Sequence, residues 1–250
     1  MKYQYDGKGD IVAVIDAMGN PYTFAYDNHH LVRQTDRNGL SFYYEYEKST
    51  DDNWRVVHSW GDGGLYDYTF EYFDELNERR ITDSLGHVST VKLNEAGLPI
   101  SEIDALGGMT VFEYDDAGRT TAVVDPGGRR TEYAYDERGN LLKMTRPDGK
   151  AIETAFSPSN KAVAITDPNG ATWKQRWDDR RLLIEQTTPL GNVSRYEYGP
   201  AGQLVRFTNP RAASTECAFD AYGNLIAIKD ALGSSTRFNY DFLCNVTGKT

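Results

Sequence analysis

From Tyr72 onward the sequence repeats itself every 21 residues. Tyr72, Leu93, Tyr114, Tyr135, Phe156, Trp177, Tyr198, Phe219 and Tyr240 mark eight consecutive intervals of that length. Each opens a variant of Tyr-Asp-x-x-Gly, intact as Tyr114-Asp115-Asp116-Ala117-Gly118 and as Tyr135-Asp136-Glu137-Arg138-Gly139. Earlier copies begin at Tyr5 (with Asp6 and Gly9), at Tyr26 (with Asp27) and, in degenerate form, at Tyr46. Later ones keep Tyr198 and Gly202, then Phe219, Asp220 and Gly223, then Tyr240 and Asp241. A fixed period that fills the chain defines a repeat architecture, in which no unit buries its own apolar face alone. Function is therefore sought in what the units build together.

Residues 114 to 135 show how one unit folds. Asp115 and Gly118 take the first and fourth places of a tight turn, where the carboxylate accepts backbone N–H groups and glycine tolerates positive φ. Arg119 to Val124 predicts a strand rich in Thr and Val. Asp125-Pro126-Gly127-Gly128 supplies a second turn, with Pro where its fixed φ fits. Residues 129 to 135 return as a strand with Thr131, Tyr133 and Tyr135 on one face. The second turn recurs as Asp16-Ala17-Met18-Gly19, Asp83-Ser84-Leu85-Gly86, Asp167-Pro168-Asn169-Gly170 and Asp230-Ala231-Leu232-Gly233, among others. The fold class is all-β: an antiparallel meander of two-stranded repeats with no room for long helices. Some twenty strands in series coil rather than lie flat, as a spiral or the wall of a barrel-like shell.

Composition agrees with a thin, one-faced sheet. Leu, Ile, Val and Phe together number 51 of 250 residues, low for a thick core, while 17 tyrosines suit half-buried strands. The net charge of −10 argues against a nucleic-acid partner, which needs clustered Lys and Arg. Cys217 and Cys244 have no zinc or disulfide-framework spacing. The apolar run from Ile11 to Ile15 is far too short to insert into a membrane. The chain is taken as one array, residues 1–250, with partial repeats at both ends, and as a piece of a longer protein.

Two kinds of departure stand out. His30 and Asn160 occupy the glycine slot of the first turn, and both residue types tolerate positive φ. That bland reading outweighs a metal or catalytic one for His29-His30. Arg181 and Cys244 fit the slot poorly, so those turns are expected to be distorted. Between Tyr46 and Tyr72 the interval is 26 residues, five more than the standard, and residues 46–72 form an irregular repeat holding Asp51-Asp52-Asn53, Trp54 and Trp60. Extra residues in an array generally emerge as a loop, and loops carry function more often than walls. Trp54 and Trp60 are thus candidates for a contact loop, against the structural alternative that they pack on the sheet.

The paired turns at this spacing, over essentially the whole chain, resemble the YD-repeat family, also called the Rhs (rearrangement hot spot) family. It includes bacterial polymorphic toxins, the C component of insecticidal Tc toxins, and animal teneurins. The resemblance implies a spiralled sheet forming a hollow shell, which in the bacterial toxins encloses a C-terminal toxin domain until delivery. It implies as partners the rest of that shell, the enclosed toxin domain, and secretion-spike or chaperone proteins, with delivery outside the producing cell. It brings no catalytic residue: the family's self-cleaving aspartates lie in a segment with no match here, and Asp125-Pro126 and Asp167-Pro168 are turn pairs in register.

Remaining motifs carry little. Gly248-Lys249-Thr250 lacks the first glycine of a phosphate loop, Leu243 standing there. Asn192-Val193-Ser194 and Asn245-Val246-Thr247 are formal glycosylation sequons that a bacterial source would leave silent. Asp-x-x-Gly lacks the spacing of a calcium loop. No cofactor, metal or catalytic residue is expected. The leading expectation is a structural shell segment, not an enzyme. The alternative is an extracellular adhesion or carbohydrate-binding module whose aromatics stack on sugar rings. Exposed sheet edges also predict self-association.

Overall fold

The computed structural model describes residues 1–50 and 52–250; Asp51, in the irregular repeat, lies outside the described residues. Among the described residues, twenty-four strands, numbered in chain order, account for nearly all regular structure, with two single 3-10 turns at Asp62–Gly64 and Asp74–Leu76. The chain divides into two compact units, Met1–Arg129 and Arg130–Thr250. The first runs from β1 (Lys2–Tyr5) to β12 (Thr120–Val124), the second from β13 (Arg130–Tyr135) to β24 (Val246–Lys249). Within each, every strand pairs antiparallel with its neighbours in sequence, as in a meander.

Neither unit has a thick core. No large side chain among the described residues is fully buried, and the buried apolar residues are Ala13 and Ala122. Stabilisation comes from the two faces of the sheet, and unit two shows how. Partners directly opposite in the ladder share a face. Tyr133 faces Met144, Met144 faces Ile152, Ile165 faces Trp173, and Tyr196 faces Phe207, all half-buried. The other face carries cross-strand ion pairs: Lys143–Glu153 (2.8 Å), Arg195–Glu185 (3.2 Å) and Arg206–Glu216 (2.7 Å). Each cross-strand pair is worth about 0.2–1 kcal/mol, so the sheet is stabilised by many small contributions along its length.

The turns are built alike. In the first turn of the model repeat, Gly118 N–H donates to Asp115 O (2.9 Å) and Asp115 N–H to Arg119 O (3.0 Å). Asp115 Oδ1 accepts from the backbone N–H of Ala117 (3.0 Å) and Arg119 (2.9 Å). Gly118 has φ 75°, which completes a three-residue hairpin loop. The Asp125 turn repeats this pattern, with 2.9 and 3.0 Å to Gly127 and Arg129.

Two expectations need correction. At Tyr26 the left-handed residues are Asn28 (φ 47°) and His29 (φ 68°), while His30 begins β4 (His30–Thr35) and pairs with Asp27. The interval from Tyr26 to Tyr46 is one residue short. The shortfall closes this turn to a two-residue loop with both central residues at positive φ. Arg181 (φ 67°) and Cys244 (φ 62°) do not distort their turns: each donates its N–H to the leading Asp, at 2.9 and 3.0 Å. A left-handed non-glycine residue costs about 1–2 kcal/mol, against about 0.5–1 kcal/mol for glycine's extra chain entropy. Cys244→Gly is therefore expected to stabilise the protein by about 0.5 kcal/mol, read as a higher urea midpoint at unchanged slope. A lower midpoint would show that Cys244 packs productively.

Candidate functional site

The sequence marks two candidate regions: the recurrent Tyr-Asp turns and the tryptophans of the irregular repeat. In the turns the aspartates hold the backbone. Asp6, Asp136, Asp220 and Asp241 each accept from the N–H groups two and four residues on, at 2.8–2.9 Å. Gly9, Gly139, Gly202 and Gly223 all have φ between 84° and 92°. Asp27 differs, because its turn is the two-residue loop at Asn28-His29. Tyr5 is largely exposed in β1, and Phe219 is half-buried and offers no hydroxyl.

The tyrosines have a role that the sequence reading missed. On the side of the sheet where the Tyr-Asp turn lies, the strand after the turn carries an extra residue. Tyr114 at the end of β11 (Met109–Tyr114) faces Thr120 while Glu113 faces Ala122, so Thr121 bulges. In three of these repeats the tyrosine hydroxyl donates to a carbonyl on the strand before its own, beside the bulge of the preceding repeat. Tyr114 reaches Pro99 O (2.7 Å), Tyr198 reaches Leu183 O (2.9 Å) and Tyr240 reaches Leu225 O (2.9 Å), in each case 15 residues back. Trp177 makes the same bond with its indole N–H, to Ala162 O at 2.6 Å. Bulges disrupt the ladder locally, and this phenol supplies a donor at that point. Burial pushes the Tyr114 and Tyr198 phenols above the ordinary value, so they stay protonated donors at neutral pH. The 15-residue offset was available in the sequence, but only a known register gives it meaning.

Trp54 and Trp60 lie in a strand of the irregular repeat, not in a loop. The repeat's extra residues lengthen β5 (Ser41–Lys48), β6 (Trp54–Gly61) and β7 (Leu65–Phe73), and both tryptophans lie in β6. A bulge at Val57 changes the alternation within β6: Tyr46 faces Val56 and Glu45 faces His58. Trp54 and Trp60 therefore project from opposite faces. Trp54, 51% exposed, packs on the His30 ring (5.1 Å), which also meets Tyr46 (5.2 Å). Trp60 stacks between Tyr43 (5.4 Å) and His58 (4.2 Å). A shallow recess of about 350 Å³ beside Trp54 is lined by His30, Tyr44, Tyr46, Asp27 and Glu47. A second, of about 500 Å³, lies where Arg55 and Arg79 flank the Tyr72 ring at 5.2 Å and both pair with Asp74.

Among the described residues no group of three or more His, Cys, Asp or Glu is placed to hold a metal ion. None of their helices is long and apolar enough to cross a membrane.

Comparison with known proteins fits this geometry. The family model for the RHS Repeat matches residues 5–41, 94–129, 114–151 and 156–192, together more than half of the chain. Among solved structures, the TcdB2–TccC3–Cdc42 complex matches with a TM-score of 0.74 at 15% identity, covering 99% of this chain and 16% of that one. TcdB2–TccC3 without its hypervariable C-terminal region matches at 0.70 and 16% identity, with coverages of 99% and 16%. The Photorhabdus luminescens Tc holotoxin pore, with a mutated TccC3, matches at 0.69 and 15% identity, covering 99% of this chain and 15% of that one. At these identities the likeness is one of fold, and the chain spans about a sixth of the chains it matches. No curated protein sequence matches significantly. With its repeat register, turn chemistry and matched segments taken together, the chain belongs to the RHS repeat family.

Proposed function

We propose that this chain is a stretch of shell wall that encloses a C-terminal toxin domain before delivery from the producing cell, with no catalytic role of its own. The observation that carries this reading is the two-faced sheet, with half-buried aromatics on one side and paired charges on the other, built from a unit repeated without interruption in unit two. Such a surface suits a wall between two environments better than a site that gathers reacting groups. The matched structures support it: two are assemblies of TccC3 with TcdB2, one of these lacking a hypervariable C-terminal region, and the third is a Tc holotoxin pore with a mutated TccC3. In this reading the partners are the remaining shell, the enclosed domain, and the secretion-spike or chaperone proteins that handle the particle.

Electron microscopy of the full-length parent protein tests it. A closed hollow particle with internal density is expected. An open rod or arm would overturn encapsulation and favour the adhesion reading, for which the exposed Trp54 platform beside its recess is the specific support. Saturable glycan binding that Trp54→Ala abolishes would do the same.

A further inference from the structure

The start of β7 is held under strain. Gly63 and Gly64 have φ 69° and 79°, and Tyr66, a bulky residue 63% exposed, has φ 49°. Pairing with β6 is sparse there and its register shifts between Ser59 and Gly61. Side chains of one histidine and two acids tie this segment to its neighbours. His58 Nε2 lies 2.7 Å from Asp67 Oδ1 on β7, and Nδ1 lies 3.4 Å from Glu45 Oε2 on β5. Trp60 stacks on the imidazole and Tyr43 on Trp60, and Tyr43 OH donates to Asp62 Oδ1 (3.0 Å), whose Oδ2 accepts Ser41 N–H (2.8 Å).

Donor counting shows what this arrangement requires. An ionised carboxylate only accepts hydrogen bonds, and both ring nitrogens face one. A neutral imidazole has a single N–H and satisfies one of them; the imidazolium satisfies both. We propose that His58 is a proton-operated clasp across β5, β6 and β7, which engages both acids when protonated and lets go of Glu45 when neutral.

The surroundings do not replace the proton. From β5 the face presents Tyr43, Glu45 and Glu47; from β7 it presents Asp67 and Glu71. Of the cations on this face, Arg55 stands on β6 itself opposite Glu47 and reaches Asp74 (2.6 Å), while Arg33 opposite Tyr43 and Arg80 opposite Glu71 stand one strand further out, Arg80 engaged by Glu78. With acids on both adjoining strands, the second ring proton is the donor this geometry calls for, and histidine is the side-chain type able to gain one in the physiological pH range. Protonation puts charge on the donor as well as on the acceptors and supplies the second N–H, so acidification tightens the strained start of β7. The device adds pH sensitivity to the sheet at its long irregular repeat and does not depend on what the array encloses.

Hydrogen exchange on the whole chain, corrected for the intrinsic pH dependence of exchange, is the test. Protection of the amides of residues 65–69 should rise about three- to tenfold from pH 8 to pH 5.5 in the native protein. The rise should vanish in His58→Gln and persist in His87→Gln. Glu45→Gln, which leaves the ring and Asp67 in place, should shrink it, and serves if His58→Gln is poorly folded. Equal protection at both pH values, or an undiminished rise in His58→Gln and Glu45→Gln, would overturn the clasp.

Discussion

Tyr114→Ala is expected to cost about 2–3 kcal/mol of stability and Tyr114→Phe about 1 kcal/mol, measured by urea unfolding. The phenylalanine variant removes only the donor to Pro99 O. A typical intramolecular hydrogen bond contributes about 0.5–1.5 kcal/mol, and a carbonyl left without its donor in half-buried surroundings keeps the loss from being smaller. The alanine variant also uncovers the ring's share of the aromatic face. Full burial of such a ring is worth more, but this one is only half-buried, so the middle of the range applies. The same comparison at Tyr198 and Tyr240, which make the equivalent bond, should give similar values. At Phe219, where no hydroxyl exists, Phe219→Tyr tests the converse and should stabilise if the ring reaches the carbonyl of Leu204, 15 residues back. If Tyr114→Phe proves as stable as the parent, the tyrosine is kept for its ring alone and the hydroxyl does not stitch neighbouring repeats.

This bond also shows where sequence reasoning stops. Turns and strands were legible because their causes are local: an Asp accepting from the next few N–H groups, a glycine at positive φ, a run of alternating residues. Repetition averaged away the noise of any single copy. What escaped depends on relations between strands. The Tyr114–Pro99 bond requires the bulge at Thr121's counterpart in the previous repeat, where Ile100 is the extra residue between Pro99 and Ser101. Trp54 and Trp60, six residues apart, would share a face in an unbroken strand, and the bulge at Val57 separates them. The 20-residue interval after Tyr26 announced a missing residue but not which turn had lost it. Arg181 and Cys244 looked misplaced because left-handed backbone was weighed alone, without the hydrogen bonds that every turn of this type makes regardless of the fourth side chain. The repeat sheet was readable; the proposed clasp at His58 was not, since its partners come from three strands.

Acid should unfold the array through its turns. The carboxyls of Asp6, Asp16, Asp83, Asp115, Asp125, Asp136, Asp178, Asp220 and Asp241 all titrate below the usual aspartate value. For Asp115 the main cause is the backbone N–H of Arg119, and for Asp136 the side chain of Asn140, both of which favour the charged form. A folded-state value below the unfolded one means that unfolding takes up protons. The contribution is fully present above the unfolded value, near 3.8, and is lost as pH falls through the folded values. Each turn is exposed and its share is small, but the aspartates act in the same direction and within the same window. The turns' contribution to stability should therefore be constant from pH 7 to about 5 and fall ever more steeply below about 4, with net proton uptake on unfolding. Asparagine supplies the control: Asn94 and Asn209 already hold their turns through Oδ1, accepting at 2.9–3.0 Å, and cannot titrate. Replacing Asp115, Asp136 and Asp220 together by Asn should leave the fold intact at pH 7 and flatten the acid limb. An acid limb unchanged in that triple variant would place the sensitivity elsewhere, in the cross-strand glutamates of the charged face.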